Sequence, residues 1–533
     1  MAVAGIRSYV QHPPEGDYDA IVIGSGMSGL TCAALMAREG LRALVLERHY
    51  TAGGFTHVFR RGDYEWDVGI HYIGEVHRPE SLLSAIFRHL TDGKLEWADM
   101  GEVYDRIVFG EERYELHAGA DAFRGHLRER FPSTPDQRAI DRYVELIRET
   151  ARSYRSYAME KALPAPVSLL AGGLLRRRFL RLGGRTTREA LDGLTDNMKL
   201  KGVLTGQYGD YGLPPGQSAF GMHALLACHY MRGAAFPVGG SSRIAETVAA
   251  VIDSAGGSIL TKAEVERIVI EGSTAVGVKM ADGRELRAPL VISSAGVANT
   301  FGRLIAADDR DRLGLAGMQD RVDPSWAHVG LYLGFRQTAD ELGLRKANYW
   351  IYPEGGFDHD ANVRAYLNDP ETEFPVVYIS FPSAKDPDWQ NRYPGRATID
   401  VITLAPYEWF TRWEETRWHR RGQDYETFKL RLTDRLLDVL YRYEPQLRGK
   451  LDHCEMSTPL STRHFVNYSR GEIYGLEHSP HRFAQRFLRP KTSVRRLWLT
   501  GQDITTAGIA GATASGLLTL SAIRGKNYFR RFE

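Results

Sequence analysis

The chain has 533 residues, of which 43% are hydrophobic and 25% are charged, and its net charge is +2 at pH 7. The length exceeds what one simple core needs, so we expect two interwoven domains. The nearly balanced charge gives no reason to expect nucleic acid as a partner. Three widely spaced cysteines argue against a disulfide framework or a metal site. Residues 1–17 hold no apolar stretch typical of a secretory signal, so we expect a cytoplasmic protein.

The first predicted elements are a strand, a tight turn, a helix and a second strand. Ala20–Ile23 is an apolar run typical of a buried parallel strand. Thr31–Arg38 has helix-forming composition with Gly40 as a stop signal, and Ala43–Leu46 is the second strand. This order is that of a dinucleotide-binding βαβ unit.

Glycines with G-x-G-x-x-G spacing lie in that turn. In such a loop the first glycine makes the turn, the second lets the backbone approach a pyrophosphate, and the third lets the helix pack on the strand. Free N–H groups at the helix N-terminus would hold the phosphates, and Glu47, at the end of the second strand, would accept hydrogen bonds from a ribose diol. The candidate cofactor contacts of this unit are Gly24, Gly26, Met27, Ser28, Gly29, Glu47 and Arg48.

A single loop of this kind favours FAD as a resident cofactor, because no second G-x-G-x-x-G follows a later strand. Gly53 and Gly54 come soon after Glu47 and would let a loop pass close to the pyrophosphate. A plain surface turn is the alternative interpretation of these two glycines.

From about Arg60 to Phe236, polar, helical and aromatic sequence interrupts the nucleotide-binding pattern. Within it, the uncharged run Leu163–Leu175 leads directly into four arginines between positions 176 and 181. Apolar residues beside clustered arginines suggest peripheral contact with an anionic membrane surface on the cytoplasmic side. A solvated charged helix next to a core segment is the alternative.

The nucleotide-binding pattern resumes after Pro237. An amphipathic helix over Ile244–Ser254 precedes several short strands, and Asp282-Gly283 is a hairpin signal. Val265, in one of these strands, is a further candidate cofactor contact. The predicted elements in the rest of the chain are strands at Ser258–Leu260, Ala263–Ile270, Ala275–Met280, Arg284–Arg287, Leu290–Ile292, His328–Phe335, Val376–Phe381 and Arg496–Thr500, and a helix at Asp424–Tyr443.

A glycine-rich run follows the last of these strands. Ile504–Ile523 is uncharged, but its threonines, serines and glycines make it too polar for a membrane span. A helix starting near Ile509 would place its N-terminus against the flavin ring, where it would stabilise negative charge on the reduced cofactor. A tightly packed core helix is the alternative. The candidate cofactor contacts are Gly501, Asp503, Ile509 and Ala510.

Six segments together resemble the phytoene desaturase and carotenoid isomerase superfamily of FAD-dependent oxidoreductases, with its retinol-saturating branch as the nearest likeness. The resemblance extends from about Tyr18 to Ile523. It implies an α/β fold with non-covalent FAD: a Rossmann-type, three-layer FAD-binding domain with a parallel sheet, and an inserted α+β substrate-binding domain. The segments are Asp67–Gly74, Tyr208–Pro215, Met222–Tyr230, Phe236–Ser242, Arg470–His478 and Leu499–Asp503.

On this basis the FAD-binding domain comprises residues 17–60, 237–300 and 490–533, and the substrate-binding domain comprises residues 61–236 and 301–489. The expected activity is saturation of a C=C bond in a long apolar polyene or isoprenoid lipid, with an external electron donor. Bound flavin supplies a hydride and the protein supplies a proton. The alternatives are a carotenoid desaturase or cis–trans isomerase, a flavin amine oxidase, and a non-enzymatic isoprenoid-binding escort of the GDP-dissociation-inhibitor type.

Candidates for the proton donor lie in two of the resembling segments. Each has the alternative of being a satisfied core residue, which is common for a histidine in an apolar segment. These candidate catalytic residues are His71, Tyr72, His223, His229 and Tyr230. The candidate substrate contacts are Tyr208, Phe236 and Tyr474. No spacing in the chain is typical of a serine hydrolase or a metalloenzyme.

Overall fold

A six-stranded parallel sheet organises the nucleotide-binding part of the computed structural model, which describes residues 5–532. The expectation about residues 1–17 falls partly on residues 1–4, which lie outside the described residues. Segments far apart in the sequence build this one sheet. Its strands in spatial order are Ile6–Ser8, Ser258–Thr261, Ala43–Leu46, Ala20–Ile23, Val291–Ser293 and Leu497–Leu499.

The two faces of this sheet are covered by different layers. Val22 points into a core formed with three helices, whereas its neighbour Ile21 points into a core formed with a three-stranded antiparallel sheet. This alternation is the period of two expected of a strand buried on both sides. The predicted Rossmann-type, three-layer fold is confirmed. The covering elements are the helices Met27–Ala37, Ser242–Ser254 and Gly508–Arg524, and the strands Val265–Glu271, Thr274–Met280 and Glu285–Arg287.

A second, seven-stranded sheet carries the inserted α+β part. Its neighbouring strands are antiparallel except for one parallel pair, Val103–Phe109 with Asn348–Tyr352. Its spatial order is Leu451–Ser457, His328–Phe335, Ala397–Leu404, Val377–Ser380, Asn348–Tyr352, Val103–Phe109 and Glu112–His117. All seven strands fall within the residues predicted for substrate binding. In the parallel sheet, Ile6–Ser8 lies outside the predicted boundaries, and the boundaries themselves stay a prediction.

Small sheets and further helices complete the fold. The small sheets are formed by Val58–Arg61 with Tyr64–Asp67, and by Ile73–Gly74, Ala234–Pro237 and Trp97–Asp99. The further helices are Leu82–Thr91, Ala120–Arg130, Thr134–Glu160, Ala165–Gly183, Thr187–Asp192, Met198–Leu204, Phe220–Tyr230, Val297–Asn299, Ala307–Arg312, His359–Asn368, Pro382–Lys385, Trp389–Arg392, Gln423–Tyr443, Pro459–Val466 and Pro480–Ala484. Single turns of tighter or wider helix include Gly54–Thr56, Tyr208–Tyr211, Thr300–Leu304 and Gln502–Ile504.

Local pattern predicted most elements of the nucleotide-binding part to within a few residues, including both strands of the first βαβ unit. The strands Val103–Phe109 and Glu112–His117 were not predicted, because the region from Arg60 to Phe236 reads as polar and helical. Val103–Phe109 has the sequence VYDRIVF, in which Asp105 and Arg106 interrupt the apolar run. Asp105 is nevertheless fully buried, so tertiary hydrogen bonding overrides the local signal.

The predicted lipid-facing segment is a continuous helix, Ala165–Gly183. Pro164 is its N-cap and Pro166 lies in its first turn, where a missing N–H removes no helical hydrogen bond. Arg176 differs from the expectation of a charged lipid-facing cluster, because it is buried and donates to the carbonyl oxygens of Phe483 and Ala484. Between residues 5 and 532, none of the helices has the length and hydropathy needed to cross a bilayer.

Close packing of two helices fixes the geometry of the nucleotide-binding part. A Cβ added at Gly516 would lie 2.6 Å from the side chain of Thr31 and 3.0 Å from the carbonyl oxygen of Ser28. Only a residue without a side chain therefore lets the C-terminal helix pack so closely on the first helix.

We predict that Gly516→Ala lowers the free energy of unfolding by about 1–3 kcal/mol, the usual cost of overpacking a core. The matched control is Gly125→Ala, also in a helix, where an added Cβ meets no atom within 4 Å. That control is expected to be neutral or stabilising by up to about 1 kcal/mol, the helix propensity difference. Chemical denaturation of both variants measures the difference, and equal stabilities would contradict this packing argument.

Candidate functional site

A large cavity of about 830 Å³ lies between the two sheets. Ile23 and Glu47 line it from the ends of parallel strands, and Trp350 and Ile402 line it from the seven-stranded sheet. A crevice at the carboxyl ends of parallel strands is where α/β folds bind nucleotides. The cavity therefore joins a nucleotide-binding end to a mainly apolar end.

The predicted glycine loop forms one wall of this cavity. Gly24 has φ +94°, a conformation that favours glycine, and it directs the chain into the first helix. The N-cap of that helix is Gly26, with no side-chain cap and no acid in the first turn. Its first N–H groups are therefore free to bind phosphate oxygens.

A second helix N-terminus opens onto the same cavity. The helix Gly508–Arg524 has Ala507 as its N-cap, again with no side-chain cap and no acid in its first turn. Gly508, Ile509 and Ala512 line the cavity beside Gly501. The positive ends of two helix dipoles thus face one ligand space, which favours an anionic cofactor.

Glu47 organises the loop between these elements. Its Oε2 accepts from the backbone N–H of Ser25 at 2.9 Å and from the Ser25 hydroxyl at 2.7 Å, and its Oε1 accepts from the N–H of His49 at 2.8 Å. The Ser25 hydroxyl also accepts from the N–H of Gly53 at 3.0 Å. One acceptor position remains on Oε1, so Glu47 can still bind a ribose hydroxyl while it holds the loop.

These residues fit FAD. The loop and both helix N-termini supply unpaired N–H donors, and Gly54 and Gly26 approach so closely that a Cβ on Gly54 would lie 3.0 Å from Gly26 Cα. His49 Nε2 is buried at the cavity wall without a protein partner, so it is free to bond a ligand. When bound here, FAD supplies hydride chemistry to whatever occupies the apolar end.

Most of the predicted cofactor contacts line the cavity: Gly24, Gly26, Met27, Ser28, Glu47, Arg48, Gly53, Gly54, Val265, Gly501 and Ile509. Three do not. Gly29 lies under the loop, where an added Cβ would be 2.3 Å from the Gly24 carbonyl oxygen, so it serves helix packing. Asp503 is buried, and its carboxylate accepts from the N–H groups of Leu476 and Val297. Ala510 is on the C-terminal helix but outside the lining.

Asp503 therefore joins three chain segments, and its contact with the cofactor stays a prediction. Its two carboxylate oxygens bond the amide of Leu476 at 2.9 Å and that of Val297, the first residue of the helix Val297–Asn299, at 2.7 Å. A buried carboxylate with such partners fixes backbone geometry, because leaving either amide unpaired is costly.

Two of the five predicted proton donors are core histidines. His223 lies between the hydroxyls of Tyr143 and Tyr211, at 2.8 Å and 3.2 Å, and is 1% exposed. His229 Nε2 accepts from the N–H of Gly74 at 2.8 Å. Burial lowers the pKa of His223 to about 3 and that of His229 to about 4, so both are neutral at physiological pH. Neither lines the cavity, so the geometry does not support either as a proton donor, and their catalytic role stays a prediction.

Tyr72, Tyr230 and Phe236 lie behind the cavity wall. Tyr72 stacks on Tyr230 with ring centroids 4.2 Å apart, and both rings are buried. Phe236 is buried in the strand Ala234–Pro237. None of the three lines the cavity, and their predicted contacts with a ligand stay predictions.

His71 does line the cavity, where its neutral form is favoured. Its Nδ1 lies 3.4 Å from Asp400 Oδ2, and burial and the nearby Lys385 lower its pKa to about 3. Tyr208 and Tyr474, two predicted substrate contacts, also line the cavity. The other residues of the apolar end are Trp326, Trp350, Val376, Tyr378, Ile402, Leu404 and Ile473.

Sequence reasoning missed an acid at this wall, Asp210. It lines the cavity, and its Oδ2 lies 2.9 Å from the hydroxyl of Tyr72. Asp105, in the unpredicted strand, lies on the other side of the same hydroxyl at 2.8 Å. The signal for Asp210 was its place in the resembling segment Tyr208–Pro215, where a carboxylate stands between two tyrosines.

Comparison with known proteins agrees with this geometry. Residues 27–300 match the family model of flavin-containing amine oxidoreductases. All-trans-retinol 13,14-reductase of Danio rerio is 35% identical over 530 residues, which are 96% of this chain and 86% of that protein. A Danio rerio protein named an inactive all-trans-retinol 13,14-reductase is 31% identical over 97% of this chain and 87% of its own length.

More distant matches extend the comparison. Prolycopene isomerase 2 of an Oncidium hybrid cultivar is 29% identical, over 89% of this chain and 78% of that protein. The solved structure of wild-type putrescine oxidase bound to putrescine has a TM-score of 0.62 at 15% identity, over 96% of this chain and 99% of that one, which shows the fold.

The cavity, its two uncapped helix N-termini and these comparisons define an FAD-dependent oxidoreductase fold. The chain belongs to the flavin-containing amine oxidoreductase family and, within it, to the group of all-trans-retinol 13,14-reductases. Its cofactor is FAD, as predicted. The intact flavin site leaves little reason for the non-enzymatic escort interpretation.

We predict that Glu47→Ala lowers FAD retention, because the substitution removes the ribose acceptor and releases Ser25 and His49. Glu271→Ala, an exposed acid of the antiparallel hairpin, is the control and should leave occupancy unchanged. The measurement is the amount of FAD that each variant releases on denaturation, per mole of protein. Equal FAD content in the two variants would contradict the role of Glu47.

We also predict that stability falls on acidification. A histidine whose pKa is lowered in the folded state stabilises the fold at pH values above its unfolded pKa of about 6.5. That contribution is lost as the pH falls toward the pKa of the folded state. For His223, the free energy of unfolding should fall by about 1.4 kcal/mol per pH unit between roughly pH 6.5 and pH 3. Denaturation across this range should give a shallower slope for His223→Gln than for the exposed control His12→Gln. Identical slopes would refute the prediction.

Proposed function

We propose that this protein is an FAD-dependent saturase of a conjugated C=C bond in a long apolar polyene, of the retinoid or carotenoid class. The observation that carries the proposal is one cavity whose FAD-binding end continues into an apolar, aromatic end with a single carboxyl group, Asp210, at its wall. A C=C bond lying between that acid and the flavin can receive a hydride from one side and a proton from the other.

The apolar end suits a polyene better than an amine. Its walls are formed by indole, phenol and aliphatic side chains such as Trp350, Tyr378 and Ile402. A flat conjugated chain gains both apolar burial and ring contacts against such surfaces. The named substrates of the reductase and isomerase relatives, retinol and prolycopene, are long conjugated chains of this kind.

Family membership alone does not establish activity, because a relative of similar identity is named inactive. The proposal therefore depends on this chain's own residues: the uncapped glycine loop, Glu47 and Asp210. The second candidate is a cis–trans isomerase, favoured by the likeness to prolycopene isomerase. Such an enzyme needs reduced FAD but returns the electrons, so its product has unchanged mass. A desaturase would instead remove two hydrogens.

We predict that reduced enzyme adds two hydrogens to a polyene substrate. Anaerobic, dithionite-reduced protein is incubated with retinol and, separately, with a carotenoid, and the products are compared by mass and chromatography. A mass gain of two hydrogens supports saturation, and an isomeric product alone contradicts it. A mass loss that needs oxidised FAD and an added acceptor indicates a desaturase. Protein stripped of FAD is the control.

The electron donor under this proposal is external. The single nucleotide loop is occupied by FAD, so a soluble or protein reductant must reach the flavin from outside or through the substrate entrance. Replacing dithionite with candidate one-electron and hydride donors, one at a time, tests which class reduces the flavin under anaerobic conditions.

We further propose that the protein contacts the cytoplasmic face of a membrane through the helix Ala165–Gly183. Leu169, Leu170 and Leu174 are 76%, 91% and 76% exposed, which is unusual for leucine, and they lie together along this helix. The exposed residues Arg177, Arg178 and Arg181 follow one turn later. An exposed apolar stripe beside basic residues is typical of a helix that lies in the membrane interface. A membrane store of apolar substrate would make such contact useful.

We predict that the protein co-sediments with vesicles containing anionic lipid and that added salt weakens this binding. Replacing Leu169, Leu170 and Leu174 with Ser should abolish it. Replacing Arg177, Arg178 and Arg181 with Ser should weaken it by on the order of 100-fold, since each arginine near the surface contributes about 1 kcal/mol.

The matched controls replace exposed residues elsewhere: Leu367 and Leu430 with Ser, and Arg284 and Arg287 with Ser. They should leave binding unchanged. Equal binding of the wild type to neutral and anionic vesicles would reject the electrostatic part, and binding that survives the leucine substitutions would reject the helix as the contact.

A further inference from the structure

The hydroxyl of Tyr72 bridges two carboxyl groups, Asp105, which is fully buried, and Asp210, which is half-buried at the cavity wall. Its oxygen lies 2.8 Å from Asp105 Oδ2 and 2.9 Å from Asp210 Oδ2. A phenol has one proton and can donate only one hydrogen bond. Two short O···O contacts therefore need a second proton, which must be on one of the two carboxyl groups.

The surroundings decide which acid holds that proton. Asp105 is fully buried among donors: Asn348 Nδ2 bonds its Oδ1 at 2.9 Å, and Gln207 Nε2 bonds its Oδ2 at 2.7 Å. Lys385 fixes this arrangement, because its ammonium group bonds Asn348 Oδ1 and so turns the amide N–H toward Asp105. A carboxylate that accepts three hydrogen bonds is stabilised in its ionised form.

Asp210 has the opposite environment. Among the described residues, the only hydrogen-bond partner of its carboxyl group is the Tyr72 hydroxyl, and Asp210 lines the cavity. Burial and the charge of Asp105 raise the pKa of Asp210 well above its usual range, whereas that of Asp105 is about 6. Tyr72 thus donates to Asp105 and accepts from a protonated Asp210. The other titratable groups around the pair are Tyr230, Tyr378, Tyr474 and Lys385.

We propose that Asp210 is the catalytic acid of the saturation, and that Tyr72 and Asp105 are positioning residues that keep it protonated next to the polyene. The assignment rests on the proposed function, because an acid is needed only if the product gains a proton. It replaces the sequence-predicted histidines, which are neutral or lie outside the cavity.

Reduced FAD, when bound, would supply a hydride, with its two electrons, to one carbon of the double bond. The π bond breaks, and the neighbouring carbon forms a C–H bond with the carboxyl proton of Asp210. A half-turn about the Cβ–Cγ bond of Asp210 directs its O–H into the cavity. The new carboxylate can accept a hydrogen bond from the Tyr72 hydroxyl, and it regains one proton from solvent when the product leaves.

The first test measures the protonation of Asp210 directly, on the FAD-loaded enzyme without substrate. At pH 8, the infrared difference spectrum of the wild type minus Asp210→Asn should contain the C=O stretch of a protonated carboxyl group. Burial also raises the pKa of Asp400 well above its usual range, but its band is common to both proteins and cancels in the difference. Glu472→Gln is the matched control: this buried carboxyl group lies outside the cavity lining, and burial raises its pKa only to about 7, so it is ionised at pH 8 and its replacement should give no such band. A difference spectrum of Asp210→Asn without the band would overturn the proposal, whatever the enzyme's substrate.

The second test measures the rate of saturation. Asp210→Asn should retain FAD but lose saturation by roughly 10²–10⁴-fold, the usual contribution of a general acid, while Glu472→Gln retains it. Asp105→Asn removes the negative charge that raises the pKa of Asp210, so the alkaline limb of the rate should move to lower pH. A purely structural role for Asp105 would lower the rate without moving that limb.

The two tests separate this inference from the proposed function. If the wild type gives no hydrogenated product, the saturase proposal fails, and the infrared band alone decides whether Asp210 is protonated. If the wild type does saturate the polyene and Asp210→Asn keeps its rate within a few-fold, the assignment of Asp210 is refuted although the function stands.

Discussion

The contact between the first helix and the C-terminal helix determines where chemistry can take place in this protein. Gly516 lies against Thr31 with no room for a side chain, and this close approach brings two uncapped helix N-termini to one cavity. Neither helix has an acid in its first turn, which keeps the positive ends of both dipoles available to an anionic cofactor. A single side chain at the helix contact would separate the two halves of the cofactor site.

The seven-stranded sheet provides the other half of the chemistry at an energetic cost. Burying Asp105 in the middle of a strand is unfavourable unless its charge is compensated by hydrogen bonds. Asn348, Gln207 and Tyr72 supply these bonds, and Lys385 orients the asparagine. Residues that read as interruptions of the strand pattern thus form a polar network behind an apolar cavity. Natural sequences accept such local conflicts mainly at functional sites.

The cofactor half of the site could be predicted because its signal is local. The first strand, the glycines that follow it and Glu47 all lie between Ala20 and Glu47, roughly the length of one βαβ unit. The substrate half could not, because it depends on which side chains long-range pairing turns toward the cavity. His223 and His229 belong to a segment that resembles the family but face the core. The pairing of Val103–Phe109 with Asn348–Tyr352 places Asp105 opposite Asn348, its hydrogen-bond donor, which is 243 positions later in the chain.

A neutral acid is the form of proton donor that an apolar cavity can accommodate. An imidazolium or ammonium at this wall would have to lose its hydration without a partner, and the depressed pKa of His71 reflects that cost. A protonated carboxyl group carries no charge until the moment of transfer, and the tyrosine beside Asp210 can then turn its single proton toward the new carboxylate. The charge that appears is thus met by a donor already within hydrogen-bond distance. The same feature distinguishes saturation from isomerisation, since only a reaction with net proton uptake has use for an acid that must be reloaded at every turnover.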